Sequence, residues 1–200
     1  EKIALILSFL ILNNYLFLSL NFSQLLIKIN FIVFLLIVLI FYFKNFLQNP
    51  YLKIFFLLII FISLGAPASE WDPRSIWLFH AKRIFYDNSI FSVADNYASF
   101  SHNEYPTLVP AFASSLAVLV GHWNEVFPKL SFSLMFLPPL IFTYVFLKNT
   151  KYLIFLSIVF FTIGKFLFNG WADGLLAIYF GLSAFLMYLL FIINTNFFKN

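Results

Sequence analysis

Apolar runs of about 18 to 24 residues recur along this chain, and few charges interrupt them. An α-helix needs about 20 residues to cross a hydrocarbon core of roughly 30 Å. With 62% hydrophobic and 10% charged residues, the chain has too little polar surface to cover a water-soluble core. The sequence therefore predicts an all-α, polytopic membrane protein and argues against a water-soluble fold.

Six segments are predicted to cross the bilayer, three on each side of a large polar loop. Pro50 and Pro67 bracket the third, because proline is tolerated at a helix start and blocks a new turn after an end. The short apolar segment 107–121 reaches only about 22 Å, so we assign it to a surface or re-entrant helix. The predicted spans are 3–20, 29–43, 51–65, 126–147, 152–168 and 174–193.

The chain is predicted to be a single membrane domain, 1–200, that forms part of a longer protein. It begins at Glu1 rather than at methionine, and it stops at Asn200 shortly after a predicted span. Its basic residues are scattered, a distribution that does not indicate nucleic acid binding. The absence of cysteine excludes disulfides and thiolate metal sites.

Residues 67–122 form the predicted outer loop, in which most of the acidic residues lie. Asp72 and the proline after it indicate an N-cap and a first helical position, which predicts a helix over 73–86. One arc of this helix is apolar, whereas Lys82 and Arg83 lie on the other side, as in a helix on the membrane surface. With the short apolar segment, the loop is predicted to hold two surface helices.

The lysines set the predicted orientation. With the amino terminus in the cytoplasm, Lys44, Lys148 and Lys151 lie on the cytoplasmic side, as the positive-inside rule requires. The large loop and the turn that holds Asp173 then face outward. We therefore expect a multi-pass protein of the cytoplasmic membrane whose functional residues lie on the outer face.

Two acidic residues, Asp72 and Asp173, occupy matching positions at the start of predicted helices on the outer side. N-capping alone would explain both of them. A carboxylate at a helix N-terminus is also favoured in its ionised form, which suits a base or a ligand for a divalent cation. The sequence is therefore compatible both with an N-capping role and with a role as a base or a cation ligand for this pair.

The order of these motifs resembles the amino-terminal module of the GT-C membrane glycosyltransferases. That family includes the protein O-mannosyltransferases and the transferases that add aminoarabinose to lipid A. The resemblance covers about residues 51–193, and two positions depart from it: Leu175 replaces a proline, and Glu104 stands where some relatives have a basic residue. The matching pieces are Glu70-Trp71-Asp72, Lys82-Arg83, His102-Asn-Glu-Tyr-Pro106 and Trp171-Ala-Asp173.

The resemblance implies transfer of a sugar from a polyprenyl-phosphate carrier to an acceptor on the outer face of a bacterial cytoplasmic membrane. It implies that Asp72 is the catalytic base and that Asp173 is a second acidic residue supporting substrate or metal. A polyprenyl-phosphate sugar and membrane lipids are the expected partners. A divalent cation is a candidate cofactor, with no metal ligands identified.

Four polar side chains of the outer loop are candidates for substrate binding. Lys82 and Arg83 can meet the oxygens of a phosphate, or they can extend to lipid head groups. His102 and Glu104 can contact substrate, and together with His80 they can hold a cation beside Asp72. Their spacing matches no regular metal motif, and exposed loop positions explain them more simply.

The main alternative is a polytopic transporter or a lipid flippase, whose acidic residues would line a path within the helices. In this chain the acids gather in a loop and at helix ends. A non-catalytic membrane subunit is a third interpretation.

Overall fold

The computed structural model describes residues 2–46, 50–91, 98–147, 151, 154, 158 and 168–197, and all regular structure in this part of the chain is helical. The all-α prediction is confirmed. A π-helical turn, Pro73–Trp77, leads directly into α4, and a 3₁₀ turn, Ser99–Ser101, precedes α5. The α-helices are α1 (Lys2–Ser19), α2 (Gln24–Phe46), α3 (Pro50–Gly65), α4 (Leu78–Asp87), α5 (Leu108–Val120), α6 (Leu130–Leu147) and α7 (Asp173–Phe197).

Most predicted helix ends agree with the structure to within a few residues, and α2 differs most. It begins at Gln24 rather than at residue 29. Lys28 lies inside this helix, where its long side chain brings Nζ to 3.8 Å from the position of a Cβ on Gly121. Its charge therefore does not prevent the helix from beginning earlier than residue 29, because a flexible stem can carry the ammonium along the surface. The predicted span 152–168 falls almost entirely outside the described residues.

An asparagine chain joins α1 to α2. The Asn13 side chain donates a hydrogen bond to Asn30 Oδ1 at 2.9 Å, and Asn30 in turn donates to Asn14 Oδ1 at 2.8 Å. Side-chain hydrogen bonds of this kind hold helices together where the surroundings are apolar. The two asparagines that interrupt the first apolar run therefore pair the helices of a hairpin.

The segment 107–121 forms α5, which is buried among other helices of the protein; its assignment to a membrane-surface or re-entrant helix stays a prediction. α5 packs against α1, α2, α4 and α6, and every residue over 109–118 is buried. The helix is apolar on all sides apart from the small residues Ser114 and Ser115, and a helix of that kind belongs in a core. Its 13 residues rise about 20 Å.

α5 crosses the α1–α2 hairpin close to the turn of that hairpin. At the start of α5, Thr107 Oγ1 shares a hydrogen bond with the Tyr15 hydroxyl at 3.3 Å. At its end, Gly121 lies beside Lys28 Nζ. Tyr15 and Lys28 each stand about one helical turn from residues 20–23, where the hairpin reverses. Both ends of α5 are therefore at a similar distance from the turn of the hairpin, and the axis of α5 runs across α1 and α2.

α4 covers α5 and is amphipathic as predicted, with its apolar side buried and Lys82 exposed. The end of α4 is attached to the hairpin turn, because Gln24 Nε2 donates to the Phe85 carbonyl at 3.2 Å. Asn88 Nδ2 likewise donates to the Phe22 carbonyl at 2.9 Å. The carboxyl end of α4 and the α1–α2 turn therefore lie at the same end of the bundle.

By length and composition, one helical stretch within the described residues can cross a membrane, Asp173–Phe191. Four shorter apolar helices accompany it, and they are Ile3–Ser19, Gln24–Val38, Leu108–Val120 and Leu130–Phe146. The predicted number of six spans therefore stays a prediction.

Candidate functional site

Asp72 precedes the π-helical turn and does not act as an N-cap. Its backbone is already helical, with φ −58° and ψ −49°, and its side chain makes no capping hydrogen bond. A capping residue normally has an extended backbone that turns its side chain onto the first free N–H groups. The capping interpretation is therefore wrong for Asp72. Among the described residues this partly exposed carboxylate has no ion-pair partner either.

The turn that follows Asp72 is wider than an α-helical turn. The Leu78 N–H donates to the carbonyl of Pro73, five residues back. Turns of this kind are rare, occur mostly as single turns inside α-helices, and are frequent at functional sites. The helix thus departs from regular geometry immediately after its acidic residue.

Asp173 is the first residue of α7 and is exposed, whereas Ala172 before it is fully buried. The helix begins at the Ala172 carbonyl, which accepts from the Leu176 N–H at 2.9 Å. The preceding turn contains Gly170 with φ +96°, a conformation that side-chain-bearing residues seldom adopt. This turn therefore places the Asp173 carboxylate on the surface, directly after the buried residue Ala172.

The segments that hold Asp72 and Asp173 touch each other through Gly170. A Cβ built on Gly170 would lie 3.2 Å from Pro73 Cβ, closer than ordinary contact. The same position is 3.7 Å from Lys129 Cγ. The structure therefore brings together the two segments that carry the predicted acids, and it adds a lysine to them.

Lys129 is a residue of this site that the sequence pattern did not single out. It is only 2% exposed, and no hydrogen bond or ion pair joins it to any other described side chain. Burial lowers the pKa of Lys129. It ends the turn 126–129, which had been predicted to be helical, and its position beside a proline resembles an ordinary helix flank.

His102 and Glu104 form a pair near Trp71, the residue before Asp72. His102 Nδ1 lies 3.2 Å from Glu104 Oε1, and the His102 ring stacks on Tyr105 with centroids 4.8 Å apart. The edge of the Trp71 ring system meets His102, with a centroid distance of 6.5 Å. A backbone hydrogen bond, followed by the His102 side chain, lowers the pKa of Glu104. The exposed His–Glu pair therefore contacts the residue that precedes Asp72 in the chain.

Lys82 and Arg83 lie farther away. Lys82 is exposed. Arg83 Nη2 donates to the Ile90 carbonyl at 2.5 Å, and Nη1 is 3.7 Å from an oxygen of Asp87. Both contacts direct the guanidinium toward the carboxyl end of α4, whereas Asp72 is roughly 15 Å away along the helix axis in the other direction. The structure does not bring this basic pair to the acidic residues.

Arg83 instead lines a polar pocket of about 190 Å³ between α4 and the loop that follows it. Arg83 Nε is buried without a hydrogen-bond acceptor among the described residues. His80, also in the wall, has its Nε2 2.7 Å from the Ser101 carbonyl oxygen. The pocket can therefore accept a small anionic or polar group. Its lining includes Trp77, His80, Arg83, Asn103, Tyr105 and Thr107.

A second cavity, of about 310 Å³, is an apolar groove lined by α1, the start of α5, one residue of α6 and the start of α7. It shares Trp77 and Pro106 with the polar pocket. Its wall also includes Leu175 and Leu176, which follow Asp173 closely in the chain. The groove can therefore hold an apolar chain whose polar end reaches the acidic segments.

No three His, Asp or Glu side chains within the described ranges come close enough to form a metal site. The divalent cation therefore stays a candidate cofactor to which no residues are assigned. A comparison of the chain with protein-family models, curated proteins and solved structures finds no match.

Proposed function

We propose that this chain is part of a polytopic membrane glycosyltransferase of the GT-C type. It transfers a sugar from a polyprenyl-phosphate carrier to an acceptor on the outer face of the cytoplasmic membrane. The observation that carries the proposal is the contact between the Asp72 and Asp173 segments at the end of the apolar groove. A lipid-linked sugar donor needs the acidic segments and the apolar groove side by side, because its tail is apolar and its reacting sugar phosphate is polar.

The exposed apolar side chains support the membrane part of the proposal. On α7, Phe180 is 79% exposed and Met187 is 69% exposed, and α1 carries a row of exposed Leu and Phe residues. Soluble proteins rarely leave continuous apolar faces of this extent in water. Lipid is the solvent that suits them, with α1, α2, α3, α6 and α7 among the six proposed spans.

The proposed reaction uses Asp72 as the general base. The acceptor hydroxyl gives its proton to this carboxylate while its oxygen forms a bond to the anomeric carbon of the sugar. The bond from that carbon to the phosphate oxygen breaks, the electron pair goes to the oxygen, and polyprenyl phosphate leaves. Asp173, on the segment that touches the Asp72 segment, orients the acceptor or holds a cation.

The chain of the carrier enters the apolar groove beneath these residues. The groove wall combines Trp77 and Pro106 from the outer loop with Leu175 and Tyr179 from α7. Tyr179 is held in place because its hydroxyl donates to the Met135 carbonyl at 2.8 Å. The first isoprene units pack in this groove, and the remainder of the carrier lies in the bilayer.

A transporter or lipid flippase is the alternative function. It requires acidic side chains within the helical bundle, along a path across the membrane. Asp72 is partly exposed and Asp173 exposed, and both lie at helix ends on one side of the bundle. This placement favours chemistry at a surface over passage through the bundle.

The test is an Asp72→Asn substitution in the full-length protein, assayed in membranes with a panel of polyprenyl-phosphate sugars. Transfer should fall by about 10² to 10⁴-fold, the usual contribution of a general base. Glu125→Gln is the matched control, because Glu125 is an exposed acid at the same end of the bundle. Both variants should reach the membrane in wild-type amounts. Transfer at the wild-type rate by the Asp72→Asn variant would eliminate Asp72 as the base.

A further inference from the structure

Arg83 lines the polar pocket with a guanidinium group whose hydrogen bonds are incomplete. The side chain is 11% exposed, and Nη2 donates to the Ile90 carbonyl. Nε and Nη1 are buried, and neither has a hydrogen-bond acceptor in the described part of the chain. Buried N–H groups are nearly always paired, because burial removes the water that would otherwise accept from them. Two such donors on a side chain that lines a cavity therefore indicate a ligand with acceptor oxygens.

Asp87 compensates the charge of Arg83 only in part. Its carboxylate oxygen is 3.7 Å from Arg83 Nη1, which is beyond the length of a hydrogen bond. The Asp87 side chain is also 46% exposed, so water screens the pair. A single guanidinium with this partner can balance at most one further negative charge. The ligand that fits is therefore a monoanion such as a carboxylate, rather than a phosphate dianion.

The volume of the pocket limits the size of the ligand. It is about 190 Å³, whereas pockets for drug-sized ligands have about 300–1,000 Å³. A molecule of about one sugar ring suits the smaller volume.

The walls of the pocket indicate a hydroxylated carbon skeleton. Asn103, Tyr105 and Thr107 contribute amide and hydroxyl groups. The rings of Trp77 and Tyr105, with centroids 5.7 Å apart, contribute apolar surface. The described lining contains no Asp or Glu, so the ammonium group of an amino acid would have no opposite charge there. A hydroxylated carboxylic acid therefore fits these walls better than a zwitterion does.

We infer that this pocket is a binding site for a sugar acid, a small monocarboxylate of the uronic acid class, whose carboxylate accepts hydrogen bonds from Arg83. The planar carboxylate matches the guanidinium, since it can accept two parallel N–H bonds. The site is distinct from the proposed transfer site, because Asp72 is roughly 15 Å from Arg83 along the helix. The inference does not rest on the proposed function.

Equilibrium binding to the full-length protein in detergent tests the inference, with glucuronate and glucose as the two probes. These probes have the same ring, and glucuronate has a carboxylate in place of the hydroxymethyl group of glucose. Wild-type protein should bind glucuronate about tenfold or more tightly than glucose, as expected for a charge-assisted hydrogen bond. Arg83→Gln should remove this preference and leave glucose binding unchanged.

Arg74→Gln is the matched control, because Arg74 is an exposed arginine in the turn that precedes α4. It should keep the preference of the wild type. Asn103→Asp is a second test, which leaves Arg83 in place. It adds a negative charge to the wall with almost no change of shape, so like-charge repulsion should also remove the preference for glucuronate. Thermal unfolding in detergent shows whether each variant is folded, and Asn103→Asp decides if Arg83→Gln is not.

Three results would overturn the inference. Equal binding of the two probes by wild type would mean that the protein has no carboxylate site. A folded Arg83→Gln or Asn103→Asp variant with the whole preference would mean that the carboxylate binds elsewhere. Inorganic phosphate that binds more tightly than glucuronate would mean that the pocket selects phosphate.

Discussion

Gly170 lies against Pro73 so closely that a Cβ on the glycine would stand 3.2 Å from the Cβ of the proline. The contact joins residues that are far apart in the sequence, and each is close in the chain to a carboxylate, Asp173 or Asp72. Glycine is required twice here, once for its φ of +96° and once for the space. The geometry of the candidate site therefore depends on this residue.

Gly170→Ala should destabilise the protein and separate the two acidic segments. The left-handed backbone conformation costs a side-chain-bearing residue about 1–2 kcal/mol, and the methyl group would also push against Pro73. The measurements are the thermal unfolding midpoint in detergent and the transfer rate, and both should fall. Gly181→Ala is the control, because Gly181 has open space around it and an ordinary φ. Equal effects of the two substitutions would show that the contact is unimportant.

Lys129→Met should make the ligand-free protein more stable. Lys129 has no ion-pair partner among the described residues, so an apolar side chain of similar size removes the desolvation cost of its charge, which can reach several kcal/mol for a buried ion. Burial lowers the pKa of Lys129 from its usual 10.5, so the folded state releases its proton before the unfolded state does. Wild-type stability then rises with pH between the folded pKa and 10.5.

The advantage of the Lys129→Met variant should therefore be greatest near neutral pH and shrink at alkaline pH. Thermal unfolding of both proteins over a pH series measures it. A variant that is less stable than wild type at neutral pH would mean that Lys129 already has an internal partner.

Arg83→Gln should lower the stability of the protein more than it lowers the transfer rate. The substitution removes the charged hydrogen bond to the Ile90 carbonyl, worth about 1.5–3 kcal/mol, and opens the polar pocket. Because Arg83 is remote from Asp72, the transfer rate at saturating donor should fall less than tenfold. Steady-state kinetics on the solubilised full-length enzyme check this. A loss of rate comparable to that of Asp72→Asn would mean that Arg83 contacts the phosphate of the donor, as the sequence predicted.

The asparagine chain between α1 and α2 should contribute measurably to stability. Asn30→Ala removes two hydrogen bonds and Asn13→Ala removes one. Side-chain bonds between helices in a membrane are worth about 0.6–1.7 kcal/mol each, so Asn30→Ala should cost roughly twice as much. Unfolding free energies of both single variants and the double variant give the coupling energy directly. Strict additivity would contradict the bond between Asn13 and Asn30.

Single cysteines can test the proposed membrane arrangement, since residues 1–200 contain none. A membrane-impermeant thiol reagent should label Ser23→Cys and Asp173→Cys in intact cells, because both positions lie at the outer end. Asn149→Cys, in the basic segment after α6, should react only after the membrane is opened. Opposite labelling of positions 23 and 173 would mean that α5 crosses the bilayer.

The sequence pattern predicted most helices because their signals are local. Pro50 marks the start of α3, and the apolar arc of α4 follows from its spacing. The burial of α5 could not be predicted in this way, because a short apolar helix looks the same on a membrane surface and inside a bundle. What buries it is packing against α1, α2, α4 and α6.

The candidate site was predictable in part for the same reason. Asp72 and Asp173 stand beside strong local signals, a proline and a helix start. The wide turn after Asp72 and the burial of Lys129 depend on residues distant in sequence, such as Gly170. A lysine after a proline has no local property that distinguishes a buried position from a helix flank.

The π-helical turn has a consequence for the direction in which Asp72 faces. Its hydrogen bond spans one residue more than an α-helical bond, and each residue turns a helix by about 100°. Deleting one residue within Pro73–Trp77 would restore regular winding and rotate Asp72 by about that angle relative to the buried side of α4. One additional amino acid thus determines the direction in which the Asp72 carboxylate points. Insertions or deletions in this turn should therefore change the site more than most substitutions do.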